Sequence, residues 1–328
     1  MRRNPAGGGA STRPAPGGVR PQGSSPLHDD SVAELLRRLD LTVTRRLDGM
    51  LQGDYQGLLP GPGWEPGEAR TYAPGDDVRR MDWSVTARTG VAHVRLPIAD
   101  RELETWIVAD LTASLDFGTA LCEKRDLAVA AVAAIGFLTA RAGNRTGALL
   151  IGPGGGERVP ARTGRSHLLA LLHRVATAPR GDGGGATDLG RSLGEVARLA
   201  RRRGLVVVVS DFLGAPGWER PLRALSGRHE VVAVEVVDPR ELELPDVGLL
   251  ALVDPETGRR LEVQTSGARV RARYAEAAVA QRAAVARSIR GAGADHLVLR
   301  TDRDWLLDMV RFVDSRRRRP TAPPVRRP

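Results

Sequence analysis

Leu205 to Val209 is a run of five apolar residues, four of them valine, with no polar residue to mark a solvent side. Strands that face water on one side alternate in hydropathy. A strand without alternation is covered on both faces, as in a parallel sheet between two layers of helices. The chain from Glu104 onward supplies the partners. Trp106 to Ala109, Ala148 to Ile151, Val231 to Val237 and His296 to Leu299 read as further strands. Between them lie helical patterns. Glu123 to Arg141 carries Leu127, Ala131, Ile135 and Leu138 on one face and stops at Gly143. Ser166 to Ala176, a helix with Leu189, Leu193, Val196, Ala197 and Ala200 in register, Arg269 to Ile289 and Asp304 to Val313 follow. Leu249 to Gln264 reads as a hairpin around Pro255-Glu256-Thr257-Gly258. This alternation predicts an α/β fold, a doubly wound, mostly parallel sheet flanked by helices.

The flanking regions differ. Residues 1–28 are rich in Gly, Pro and Arg and read as a disordered tail. Residues 29–103 open with Ser31 and Glu34 at capping-box spacing. Val32, Leu35, Leu36, Leu39, Val43 and Leu47 then form the apolar stripe of a helix that must dock on something. From Gly49 to Asp100 the helical period is lost, and short strands such as Val91 to Leu96 are expected. Residues 104–313 hold the α/β domain, and residues 314–328 read as a second disordered, basic tail.

The formal charge of +10 is confined to those tails, which carry +4 over residues 1–28 and +6 over residues 315–328. The body between them is neutral, so it offers no uncompensated basic face to track phosphates, and the twelve aromatics form no stacking platform. Tail-mediated nucleic-acid binding is left as an alternative; no specific nucleic-acid site is expected. The longest purely apolar run, Leu127 to Ile135, is far short of the ~20 residues of a membrane span. A single cysteine, Cys122, excludes an intramolecular disulfide and a cysteine-clustered zinc site. These features point to a cytoplasmic protein. Lys124 is the only lysine, every other basic side chain being arginine, which by itself reads as coding bias.

In doubly wound sheets, ligands sit beyond the carboxyl ends of the strands. Here those ends carry Asp110-x-Thr112-x-Ser114, Thr187-Asp188 after a Gly-rich loop, and Ser210-Asp211. Carboxylates and hydroxyls are hard oxygen donors suited to Mg²⁺ or Mn²⁺. Each cluster also has a local reading: hydroxyls satisfying backbone groups in a strand-end turn, or Thr187 or Asp188 as a helix N-cap.

Together, Asp110-x-Thr112-x-Ser114, Thr187 and Asp211 resemble the metal-ion-dependent adhesion site of von Willebrand factor A domains, with Thr112 where that family usually has a serine. The resemblance implies Thr112, Ser114 and Thr187 as direct ligands of the ion, and Asp110 and Asp211 as anchors acting through water. The preceding region, Gly61-Pro-Gly-Trp-Glu65, Arg70-Thr-Tyr72-Ala-Pro74-Gly75-Asp76-Asp77-Val-Arg79-Arg-Met-Asp82-Trp83 and Ala87-Arg88, resembles the signature of the uncharacterised family DUF58. Asp238-Pro239-Arg-Glu241, Leu244-Pro245-Asp246 and Asp254-Pro-Glu-Thr-Gly258 extend that resemblance, which runs from about Gly49 to Thr265 with Pro66 as one departure. It implies a partner, a MoxR-type AAA+ ATPase, with the chain as adaptor or co-chaperone for a client protein offering a carboxylate. Within the signature, Asp76, Asp77 and Asp82 beside Arg79, Arg80 and Arg88 invite ion pairs.

The main rival is a Mg²⁺-dependent phosphohydrolase with Asp110 as nucleophile. Against it, Thr112 stands where a second aspartate is usual, and Lys124 falls early on the following helix. No nucleotide-binding loop or serine-hydrolase elbow is present. His167 and His173 are poorly spaced for zinc, and Cys122 has no positioned base.

Overall fold

The computed structural model describes residues 34, 37–42, 69–95 and 103–317, except 74–75, 77, 79–80, 142, 154, 182–187 and 255–257. In chain order, a helix at 37–42 (α1) precedes β1 (Ala69–Thr71), α2 (Trp83–Thr89) and β2 (His93–Arg95). Next come β3 (Glu104–Asp110), α3 (Lys124–Arg141), β4 (Arg145–Gly152), β5 (Gly155–Arg162), α4 (Arg165–Ala176) and α5 (Leu189–Leu199). The last part holds β6 (Gly204–Ser210), α6 (Glu219–Ser226), β7 (Glu230–Val237), β8 (Leu249–Val253), β9 (Arg260–Gln264), α7 (Ala268–Gly291), β10 (Asp295–Arg300) and α8 (Trp305–Arg317).

Six strands form one sheet in the order β10-β7-β6-β3-β4-β5. All its pairings are parallel except the β4–β5 hairpin at one edge. Every residue of β3 and β6 is buried, as the unalternating valine run requires. Leu205, Val207 and Val209 point into a core formed with α3, α4 and α8. Val206 and Val208 point the other way, into a core formed with α5, α6 and α7. Burying a valine side chain stabilises by roughly 1.5–3 kcal/mol, so this strand alone commits the sheet to helices on both faces.

The structure extends the sequence reading in several places. The pattern gave α3 one apolar face, whereas residues 124–139 are buried all round. Its many alanines make a thin rod that neighbours can enclose, and Gly136 admits α4 closely. A Cβ there would lie 2.5 Å from Leu168 Cδ1. The short helix α6, which hydropathy did not single out, buries only Leu222 and Leu225. Helix α8 continues past Val313 to Arg317, because Arg316 pairs with Glu230 at 3.0 Å and Asp295 at 2.8 Å instead of entering a solvated tail.

The N-terminal helix docks where its stripe demanded a partner. Leu39 is buried in the α3–α4–α8 core, and Asp40 pairs with Arg165 of α4. The rest of that stripe (Val32, Leu35, Leu36, Val43, Leu47) and Ser31 lie outside the described residues. In the signature region, β1 and β2 pair antiparallel. Asp82 serves as the N-cap of α2, accepting from the Ser84 and Val85 amides at 3.1 Å each. Asp76 accepts from the Ala73 amide at 2.8 Å across the turn. Two of the expected acid–arginine partners, Arg79 and Arg80, lie outside the described residues, as does Asp77.

Candidate metal centre

The chain leaves β3 for β4 and β5 on one side, then returns to lay β6 against the other side of β3 and continues to β7 and β10. The order reverses between β3 and β6, which opens a crevice at their carboxyl ends. Ala109 is in register with Val209, so Asp110 and Ser210 emerge side by side.

Asp110 is 2% exposed and accepts three hydrogen bonds. Thr112 donates to Oδ1 from its hydroxyl at 2.7 Å and its amide at 3.2 Å, and Ser210 donates its hydroxyl to Oδ2 at 2.7 Å. Ser114 sits at the centre of the 3₁₀ turn Ala113–Leu115, pinned by buried Leu115, and its Oγ lies 3.4 Å from Thr112 Oγ1. Because the Thr112 proton goes to Asp110, the hydroxyl's lone pairs are left for the crevice. Burial, and then the charge of Asp211, push the Asp110 carboxyl up to about 6 against these donors.

Asp211 is held differently. Its Oδ2 receives the Lys124 ammonium at 2.8 Å, and its Oδ1 receives the Leu213 amide at 3.1 Å. The latter bond depends on Phe212, a non-glycine residue in the left-handed region at φ 56°. Such a conformation costs of order 1–3 kcal/mol, and the buried Phe212 ring is fastened edge-on to Trp218 at 5.1 Å between ring centroids. Burial pushes the Asp211 carboxyl up, yet Lys124, the Leu213 amide and Ser114 outweigh it and hold the group below the usual carboxylate range.

Lys124 reaches the crevice from the first residue of α3 and is 1% exposed. Its ammonium also lies 2.5 Å from Glu241 Oε1. Glu241 Oε2 receives Arg282 of α7 at 2.7 Å. Arg282 in turn donates to Glu235 at 2.8 Å and to the Asp211 carbonyl at 3.0 Å, and His296 lies 2.7 Å from the far oxygen of Glu235. Sequence spacing sets Lys124 early on its helix, which bears only on the phosphohydrolase alternative; the structure puts it between two carboxylates. Its partners lie 87 and 117 residues away in the chain, so no local signal marked it.

Two further groups fix the loop that carries Thr112 and Ser114. Asp238, at the end of β7 and fully buried, accepts from the Thr119 amide and hydroxyl, the Thr301 hydroxyl and the Arg240 amide, at 2.6–2.9 Å. Arg125 pairs with Asp116 and donates to the Leu111 carbonyl at 2.7 Å. Asp116 also accepts from the Gly181 amide at 3.1 Å, and a Cβ on Gly181 would meet Ala113 at 2.7 Å. Thr187 itself lies outside the described residues. Its neighbour Asp188 is the N-cap of α5, accepting from the Arg191 amide at 2.7 Å. His167 hydrogen-bonds the Thr146 carbonyl at 2.9 Å from within its helix–sheet contact. Burial, then Asp126, Asp238 and Glu123, push the Cys122 thiol up to about 12.

The donor set suits a hard cation held mainly by hydroxyls. Thr112 and Ser114 sit side by side, each with a buried carboxylate behind it, and among the described residues no cation pairs with Asp110. Among the described residues no group of three or more His, Cys, Asp or Glu side chains is placed to bind a metal. No described helix is long and apolar enough to cross a membrane.

The uncharacterized protein Rv1480 of Mycobacterium tuberculosis is 59% identical to this chain over 292 residues, covering 89% of this chain and 92% of that protein. Among solved structures, an aerotolerance-related membrane protein from Bacteroides fragilis is 13% identical, with a TM-score of 0.42 over 65% of this chain and 98% of its own. A von Willebrand factor type A structure from Catenulispora acidiphila is 11% identical, with a TM-score of 0.34 over 69% of this chain and 43% of its own. The family model for the protein of unknown function DUF58 matches residues 68–284, most of the strands and helices described above, and the chain belongs to that family.

Proposed function

We propose that the chain is a metal-dependent protein-interaction domain of the von Willebrand factor A type. In this reading the crevice between β3 and β6 holds Mg²⁺ or Mn²⁺. Thr112, Ser114 and Thr187 supply hydroxyl ligands, and Asp110 and Asp211 act behind them. The observation that carries it is the hydroxyl pair Thr112–Ser114 at the switch point, with the Thr112 proton drawn away by a buried aspartate. A bound divalent ion there would offer an open position to a carboxylate oxygen of another protein. The chain's own residues do the positioning. Asp110 and Ser210 lock the two strand ends together, Leu115 and Arg125 fix the hydroxyl-bearing loop, and the strained Phe212 turn sets Asp211.

The family resemblance supplies the partner in this proposal, a MoxR-type AAA+ ATPase, for which the chain acts as adaptor or co-chaperone toward a client complex. The test is capture of that ATPase by the immobilised chain in Mg²⁺ and in EDTA, with Asp110→Ala alongside. Capture in Mg²⁺ that is lost both in EDTA and in the variant supports the reading. Equal capture in all three places the contact elsewhere. In this reading generic phosphate esters show no turnover with Mg²⁺ or Mn²⁺, and turnover that is lost in Asp110→Asn would count against it.

A further inference from the structure

The cation reading gives Lys124 no task, yet the only lysine of the chain is buried within hydrogen-bonding distance of Asp211. The choice of side chain is physical. An ammonium is a compact charge with three donors, whereas a guanidinium is a broad planar fork. Only the compact group suits a place between Asp211 Oδ2 and Glu241 Oε1, at 2.8 and 2.5 Å. Arg282 closes the arrangement from α7, bonded to Glu241, Glu235 and the Asp211 carbonyl. Asp110 has nothing comparable on its side, where all three partners are dipoles. Among the described residues, one wall of the crevice therefore carries its own cation, and the other carries none.

We propose that Lys124 is a tethered cation that competes with the divalent ion for the charge of Asp211. With no ion bound it neutralises Asp211 and keeps the crevice folded. With an ion present it weakens binding, because one carboxylate must serve two positive charges at close range. The protein would then be a low-affinity, reversible ion binder whose interaction face is intact in either state. This rests on the metal reading above and deepens it, by making ion affinity a quantity set by Lys124.

The test is Mn²⁺ uptake by the full chain, read from the resonance of free Mn²⁺, for wild type and Lys124→Met. Removing the charge while keeping the aliphatic stem should tighten Mn²⁺ binding at least tenfold, or about 1.4 kcal/mol. Wild-type uptake with no tightening in a folded Lys124→Met overturns the competition and leaves the metal reading standing. Uptake by Lys124→Met alone supports competition but overturns a resident ion in the native chain. No uptake by either overturns both.

Should Lys124→Met fail to fold, the native chain supplies its own probe. Lysine labelled with ¹³C at Cε gives a single side-chain resonance, because there is one lysine. Saturating Mg²⁺ should shift that resonance, and substoichiometric Mn²⁺ should broaden it. A resonance indifferent to both, in a chain that takes up Mn²⁺, overturns the proposal.

Discussion

The two walls of the crevice, one strand apart, solve the same problem in different ways. Each brings a nearly inaccessible aspartate to a strand end. On the β6 wall, Asp211 is answered by full charges, Lys124 directly and Arg282 through Glu241. On the β3 wall, among the described residues, Asp110 is answered only by hydroxyls and an amide. Full charges make Asp211 more acidic than an ordinary carboxylate, while dipoles do not overcome burial at Asp110, whose carboxyl rises to about 6. The difference teaches that the β6 wall is electrostatically finished and the β3 wall is not. A cation from solution would find its unmet charge at Asp110, beside the Thr112 and Ser114 hydroxyls.

The largest test of that contrast is the stability of Lys124→Met in EDTA. Removing one partner of a buried ionic group strands the other, and urea unfolding should show a loss of about 3–5 kcal/mol. Asp110→Asn strands no charge and should cost under about 1 kcal/mol. Equal losses would mean the two walls are not different in kind. Next in size is Arg282→Met, which leaves Glu235 with His296 and Glu241 with Lys124. Its expected loss is about 2–3 kcal/mol by the same unfolding measurement, because each stranded acid keeps one partner.

Thr112→Val should be milder still. It removes one hydroxyl bond to Asp110 and should cost about 1–2 kcal/mol by the same assay. It should also abolish any rise in melting temperature on adding Mn²⁺; a retained rise would remove Thr112 from the ligand set. The smallest perturbation is chemical. With its thiol raised from an ordinary 9 to about 12, Cys122 should alkylate with iodoacetamide at pH 8 about a thousandfold more slowly in the native chain than after unfolding. Comparable rates would show that burial, with the acids around the β3–α3 loop, does not act on the thiol as described.

How much of this the sequence disclosed depends on how far apart the interacting residues are. The valine run settled the layered sheet, because four unalternating β-branched residues have few other places to go. Asp110, Thr112 and Ser114 were legible because strand-end chemistry is local, and Thr112 does bond Asp110 two residues away. Lys124 and Arg282 were not, since each meets its partners across scores of residues through the closed topology. Asp82 had a local cue: an aspartate preceding a short helix is a capping residue, and it takes that role. The all-round burial of α3 escaped a reading based on faces, because alanine marks no side.

The burial of Lys124 has a consequence for covalent chemistry at the protein surface. The folded chain presents no lysine amine to acylating reagents or to enzymes that attach acyl groups or polypeptide tags to lysine. Any such attachment at Lys124 requires the crevice to open first. The rate of Lys124 acylation would therefore clock how often the heart of this sheet comes apart.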